Sequence, residues 1–128
     1  MLEEKFLKVA EDLELAGLVW SPEIGDEVAE RVKLSSVSIL VDPQGMTPDE
    51  LRTIFLWLPT VEQMVLQLEA RQAVLSHTGL ELSRHSMFYK TILETSLGPI
   101  ESKAASLRMS VGLALRTFLL NGSPESVH

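Results

Sequence analysis

The segment Thr47–Glu50 constrains the fold more than any other part of the sequence, because it marks a helix start in the middle of the chain. Thr47 can cap the helix, Pro48 suits the first helical position, where its missing N–H costs no hydrogen bond, and Glu50 can complete a capping box. The apolar residues that follow have helical spacing, whereas the β-branched run 37–41 before it is typical of a strand. The chain therefore belongs to a class that mixes helices and strands.

The spacing of apolar residues predicts three helical regions in all. The first covers Leu2–Ala16 and ends at Gly17, a residue that readily terminates a helix. Pro59 interrupts the second region, so a kinked pair of helices is expected over Pro48–Leu75. The last helix is expected from about Glu101 to Leu120.

Further strand patterns lie on both sides of the second helical region. Residues 23–33 suit either a helix or a strand, and a turn-forming Gly-Asp pair favours a strand that begins at Glu27. After a turn at His77–Gly79, the alternation in 80–83 and the strand formers in 88–94 predict a β-hairpin.

The order of these elements predicts an α+β fold. We expect an antiparallel sheet of about four strands packed against three to four helices, because a parallel sheet would need strands and helices in alternation. A division into two αββα halves is the alternative arrangement. The length of 128 residues predicts a single domain over residues 1–122, and residues 123–128 are expected to be a disordered tail.

The composition indicates an aliphatic core and a partner. Hydrophobic residues make up 45% of the chain but aromatic residues only 5%, so Leu, Val, Ile and Met must fill the core. A small domain has difficulty burying so many aliphatic side chains, and a subunit interface is a common place for the remainder. We therefore expect a homo-oligomer or a protein partner.

Several classes of protein are excluded or disfavoured. The absence of cysteine excludes disulfides and thiol chemistry. No apolar run approaches the ~18 residues that a membrane span requires, and the acidic N-terminus does not resemble a signal peptide, so no membrane association and a cytoplasmic location are expected.

The net charge of −7 disfavours nucleic acid as a partner. Residues 1–75 contain 14 acidic and 6 basic residues, whereas residues 76–128 contain 4 acidic and 5 basic residues that are scattered singly. A solvated face explains these bases best. Association with nucleic acid through the less acidic second half is the remaining alternative.

No catalytic, cofactor-binding or metal-binding motif is recognisable, and no cofactor is expected. The three histidines lack the spacing of a zinc helix, and the glycines do not form a phosphate-binding loop. A dispersed polar site that includes Asp42, His85 and Tyr89 is the alternative, and it would make the protein a small-molecule-binding protein or an enzyme.

The last predicted helix carries a flank of small residues that would let another backbone approach closely. Its central Gly112 costs a helix about 1 kcal/mol relative to alanine, so this position indicates a packing requirement. Two interpretations are open, namely tight packing within the monomer and a helix-to-helix contact across a dimer. The flank consists of Ala105, Ser106, Ser110, Gly112 and Ala114.

The segment Trp57–Met64 resembles a pattern, Trp-Leu-Pro-[Ser/Thr]-x-x-Gln-[Leu/Met], of small uncharacterised bacterial and prophage-type proteins. The resemblance covers about half of the chain and implies a strand pair and a final helix after this segment, over Leu80–Leu120. It implies no activity. The function that we expect is that of a non-enzymatic oligomerising or protein-binding domain of bacterial type.

Overall fold

A computed structural model describes residues 4–122 of the chain. Contacts between residues divide the chain into two compact units, Met1–Thr60 and Val61–His128, a subdivision that the expectation of a single domain did not include. The tail expected at residues 123–128 lies outside the described residues. The first unit contains α1 (Glu4–Leu15), β1 (Glu27–Glu30), β2 (Lys33–Ile39), α2 (Pro48–Ile54) and β3 (Phe55–Trp57). The second contains α3 (Val61–Ala70), β4 (Val74–Leu82), β5 (Met87–Thr95), β6 (Gly98–Ala104) and α4 (Leu107–Gly122).

The strands of the first unit form an antiparallel sheet in the order β2-β1-β3. In this sheet Val37 pairs with Ala29, which pairs with Leu56 on its other side. The ambiguous region 23–33 therefore contains a strand that begins at Glu27, as the sequence favoured. Helix α1 contacts β3 and buries its apolar stripe, which is Phe6, Val9, Ala10 and Leu13.

Helix α2 begins as the sequence predicts but ends earlier. The hydroxyl of Thr47 accepts a hydrogen bond from the N–H of Glu50 at 3.2 Å, and the carboxylate of Glu50 accepts one from the N–H of Thr47 at 2.9 Å, which confirms the capping box. The predicted continuation of the helix to Pro59 is wrong, because Phe55–Trp57 leaves the helix to pair with β1. Ladder hydrogen bonds and burial replace the helical bonds that this apolar run could also have made.

The pKa of Glu50 lies below its usual 4.5, because its carboxylate accepts hydrogen bonds from the backbone and the side chain of Thr47. Since the lowered pKa belongs to the folded state, ionised Glu50 stabilises the fold above pH 4.5, and this contribution disappears as the pH falls through the lowered pKa. We expect the Thr47→Ala variant to raise the pKa of Glu50 toward 4.5, as measured by NMR titration of its carboxyl group. The Thr53→Ala variant, which removes a hydroxyl bonded to the carbonyl of Asp49, is the control and should leave this pKa unchanged. An unchanged pKa of Glu50 in Thr47→Ala would contradict the prediction.

Two arginines tie the loops of the first unit together. Arg31, in the β1–β2 turn, forms a two-bond ion pair with Glu14 of α1 and donates from Nε to the carbonyl of Arg52 at 2.9 Å. Arg52 in turn donates to the carbonyl of Trp20 at 2.6 Å. These bonds connect α1, the β1–β2 turn, α2 and the loop before β1.

The second unit is a three-stranded antiparallel meander, β4-β5-β6, with helices before and after it. The predicted hairpin is present, but its first strand is longer than expected, because the predicted turn at His77–Gly79 is wrong and these residues pair with β5. The expected helix start at Glu101 is also wrong. Residues Gly98–Ala104 form β6, which pairs with β5, and the last helix begins at Leu107.

Four hydroxyl groups join α4 to its sheet. Thr91 Oγ1 lies 2.9 Å from Thr78 Oγ1 on β4 and 2.7 Å from Ser110 Oγ on α4. Ser102 of β6 donates to the carbonyl of Ser110 at 2.6 Å. Thr91 and Ser110 are fully buried, so these bonds fix where α4 lies along the sheet.

The α+β class is confirmed, but the expected single sheet of about four strands is corrected to two sheets of three strands each, with four helices. Each unit has a third strand that the expected αββα order lacked, β3 in the first and β6 in the second. None of the helices described between residues 4 and 122 is both long and apolar enough to cross a membrane.

Candidate functional site

The outer edge of β2 has backbone groups that no strand of the described chain pairs with. The N–H of Leu40 bonds to the carbonyl of Asp26, on the β1 side. Bonding directions alternate along an antiparallel ladder, so the backbone groups of Ile39 and Val37 point away from β1. The strand therefore presents hydrogen-bonding groups at an open edge of the sheet.

The side chains at this edge are apolar and exposed. Val37 is 36% exposed, Ile39 is 51% exposed, and Val41, which continues the alternation past the strand, is 73% exposed. Val37 lies in register beside Ala29 and Leu56, both of which are buried, so the three side chains share one face of the sheet. The apolar layer of the first unit thus continues to the open edge. We call the outer backbone groups of β2 together with Val37, Ile39 and Val41 the β2 edge.

The other three outer strands have features that protect a sheet edge from further pairing. Strand β3 has only three residues, and β4 has a register shift between Leu75 and His77. Strand β6 contains Pro99 and Lys103. Short strands, irregular register, proline and lysine are the usual ways in which proteins protect such edges. Strand β2 has comparable features in its first part, namely Lys33 and a register shift against β1 between Lys33 and Val37. From Val37 to Ile39 its pairing with β1 is regular.

Opposite charges lie at the two ends of the β2 edge. Lys33 begins the strand, and Asp42 directly follows Val41. Asp42 is exposed, and its Oδ1 accepts a hydrogen bond from the N–H of Gln44 at 2.8 Å, which orders the turn after the strand. The edge therefore has a basic end and an acidic end.

The three residues of the predicted polar site are divided between the two units. Asp42 belongs to the first unit, whereas His85 and Tyr89 belong to the second. His85 is exposed in the β4–β5 turn, and Tyr89 is half-buried on β5 opposite Leu80. Within residues 4–122 no group of three or more His, Asp or Glu side chains is placed to hold a metal ion.

Three of the five residues of the predicted small flank are buried, and one of them bonds to the sheet of its own unit. Ser110, Gly112 and Ala114 are buried in α4, and Ser110 is bonded to β5 and β6. Ala105 is exposed and Ser106 is half-buried, just before the helix. The bonds of Ser110 are packing contacts within one chain, and the partner surface proposed below lies elsewhere.

The second unit has an exposed apolar surface of its own. Helix α4 contacts the face of the sheet that carries Thr78 and Thr91. The same face carries Leu80, Leu82 and Met87, which lie at every second position along β4 and β5 from these threonines. These three side chains are nevertheless exposed. Helix α4 therefore leaves this end of the hairpin uncovered. Strand β4, which carries Leu80 and Leu82, is also an outer strand and pairs regularly with β5 from Thr78 to Leu82. The β2 edge differs from it by belonging to the acidic unit and by lying between a lysine and an aspartate.

The sequence analysis predicted the strand of the β2 edge but did not single out its residues as functional. The available signal was the run of β-branched residues at every second position, Val37, Ile39 and Val41, which is typical of a strand. No family model matches the chain, and the comparisons with curated proteins and with solved structures also found no match.

Proposed function

We propose that this protein is a non-enzymatic protein-binding domain that takes up an extended segment of its partner by strand addition at the β2 edge. At Val37 and Ile39, backbone groups that point away from β1 occur together with exposed apolar side chains. This observation carries the proposal. In strand addition the main-chain hydrogen bonds provide affinity, and contacts with alternate side chains provide specificity. The β2 edge supplies both.

The preferred ligand follows from the chemistry of the edge. A bound strand has alternate side chains on the face of Val37 and Ile39, so these residues favour apolar partners at every second position. Ser38, between Val37 and Ile39, lies on the opposite face, where a polar residue of the ligand is suited. A segment that alternates apolar and polar residues over the length of β2 fits the edge.

The test uses a synthetic peptide as long as β2, with valine and threonine in alternation and uncharged polar ends. We expect the Val37→Pro variant to lose at least about tenfold in affinity for this peptide, because proline removes an outward N–H and leaves the hydrogen bonds to β1 in place. The Ile39→Ser variant should also bind more weakly, because it removes an apolar contact. Isothermal titration calorimetry measures both affinities.

The matched control is Leu66→Ser, which replaces a similarly exposed aliphatic residue on α3 and should leave the affinity unchanged. Circular dichroism shows whether each variant retains its fold. Equal binding of the peptide by wild type, Val37→Pro and Ile39→Ser would overturn the proposal. A second copy of the chain is the alternative occupant, and concentration-dependent sedimentation of the wild type that Val37→Pro abolishes would identify it.

A further inference from the structure

The negative charge of the protein lies in the unit that contains the β2 edge. Residues 1–60 include 12 acidic and 5 basic residues, a net charge of −7, whereas residues 61–128 include six of each and have no net charge. Three of the five basic residues of the first unit form ion pairs with acids of the same unit, namely Lys8, Arg31 and Arg52. The unit that contains the β2 edge is therefore strongly negative as a whole.

This charge discriminates between possible occupants of the edge. Pairing β2 with β2 of a second copy would bring two units of −7 together, and their repulsion opposes that contact. A basic ligand is instead attracted to the unit, and the attraction increases its rate of association. The net charge of the unit thus favours a cationic segment over a second copy, although an antiparallel pair of β2 strands would place Lys33 of each copy beside Asp42 of the other and offset part of the repulsion.

The two charged ends of the β2 edge specify where the positive charge of the ligand belongs. The sheet of the first unit is antiparallel throughout, and antiparallel pairing outnumbers parallel pairing in proteins. An antiparallel ligand would place its N-terminal end beside Asp42 and its C-terminal end beside Lys33. Basic residues are favoured at the first of these ends and disfavoured at the second.

We infer that the segment bound at the β2 edge is a basic extended peptide that pairs antiparallel to β2 and carries lysine or arginine at its N-terminal end. This inference rests on the proposed function, since it identifies the partner of the same edge. The ligand combines alternating apolar residues, which match Val37 and Ile39, with a positive end that matches Asp42.

The experiment compares three peptides that share the valine–threonine core described above. The first has two added lysines at its N-terminal end, the second has them at its C-terminal end, and the third has two glutamates at its N-terminal end. At low salt we expect the first peptide to bind at least about tenfold tighter than the third, and also tighter than the second. The preference should decrease as salt shortens the screening length to below about 10 Å.

The Asp42→Asn variant tests the role of the acidic end. The asparagine oxygen can still accept the bond from the N–H of Gln44, so the turn is retained while the charge is lost. We expect this variant to lose the preference for the first peptide over the second. Glu69→Gln, which removes one exposed negative charge from α3 in the other unit, should retain it.

The outcomes separate the inference from the proposed function. If the three peptides bind equally well to the wild type and Val37→Pro abolishes their binding, the inference is overturned while strand addition stands. If the lysine peptides bind wild type and Val37→Pro equally, the attraction is only electrostatic, which contradicts both. A preference for the first peptide that Val37→Pro and Asp42→Asn each remove supports both.

Discussion

We expect the Thr91→Val variant to have a free energy of unfolding about 2 kcal/mol lower than that of the wild type, as measured by urea denaturation. Thr91 is fully buried, and its hydroxyl lies within hydrogen-bonding distance of Thr78 at 2.9 Å and Ser110 at 2.7 Å. Valine has nearly the same shape but leaves these two hydroxyls without their shared partner. A buried polar group that loses its hydrogen bond costs about 1–3 kcal/mol.

A double-mutant cycle distinguishes this cause from a change of shape. Ser110→Ala removes one of the two hydroxyls that bond to Thr91. The stability lost by the Thr91→Val/Ser110→Ala variant should therefore be smaller than the sum of the losses of the two single variants, by at least about 0.5 kcal/mol. Ser83→Ala is the exposed control, since Ser83 and Ser86 form a hydroxyl pair at 2.7 Å in the β4–β5 turn. It should change stability by no more than about 0.5 kcal/mol. Strict additivity of Thr91→Val and Ser110→Ala would contradict the network.

The Asp26→Ala variant should lose about 3 kcal/mol of stability. The buried carboxylate of Asp26 accepts hydrogen bonds from the indole N–H of Trp20 at 2.8 Å and from the N–H of Glu23 at 2.9 Å. Hydrogen bonds to charged groups contribute about 1.5–3 kcal/mol each, and removing the acceptor leaves a buried indole N–H unpaired. Urea denaturation measures the loss, and the indole N–H resonance of Trp20 in NMR spectra reports the broken bond.

Asp42→Ala is the matched control for this variant. Asp42 also accepts a backbone hydrogen bond in a turn, at 2.8 Å, but it is exposed, and water can replace the bond that is lost. We expect a loss of no more than about 0.5 kcal/mol. Equal losses in the two variants would show that burial does not strengthen the contribution of Asp26.

Some elements could be predicted from the sequence because their signals are local. The capping box at Thr47 depends on residues three positions apart, and the structure contains both of its hydrogen bonds. The strand at Glu27 and the existence of the later hairpin followed from turn residues and strand formers close to each other in the chain. Bonds of this kind form between neighbours and need little help from the rest of the fold.

Other elements could not be predicted because distant strands decide them. The apolar run Phe55–Trp57 suits a helix or a strand, and only its pairing with β1 makes it β3. Similarly, Gly98–Ala104 contains a Gly-Pro break and then residues that fit helical spacing, yet pairing with β5 makes it β6. Local propensity contributes less free energy than a complete ladder of hydrogen bonds with side-chain burial, so both segments form strands.

The candidate site shows the same division. The β-branched residues Val37, Ile39 and Val41 occupy every second position in the sequence, and this spacing predicts a strand. The sequence cannot show that this strand lies at the end of its sheet, because the order β2-β1-β3 depends on contacts between residues far apart in the chain. The sequence by itself determined the capping box, a strand that includes Val37 and Ile39, and the excess of acidic residues in the first part of the chain, since local bonds, local propensity and charge depend only on the residues themselves. Tertiary structure alone decided the third strand of each sheet and the exposure of the β2 edge, because pairing and burial are properties of the assembled fold.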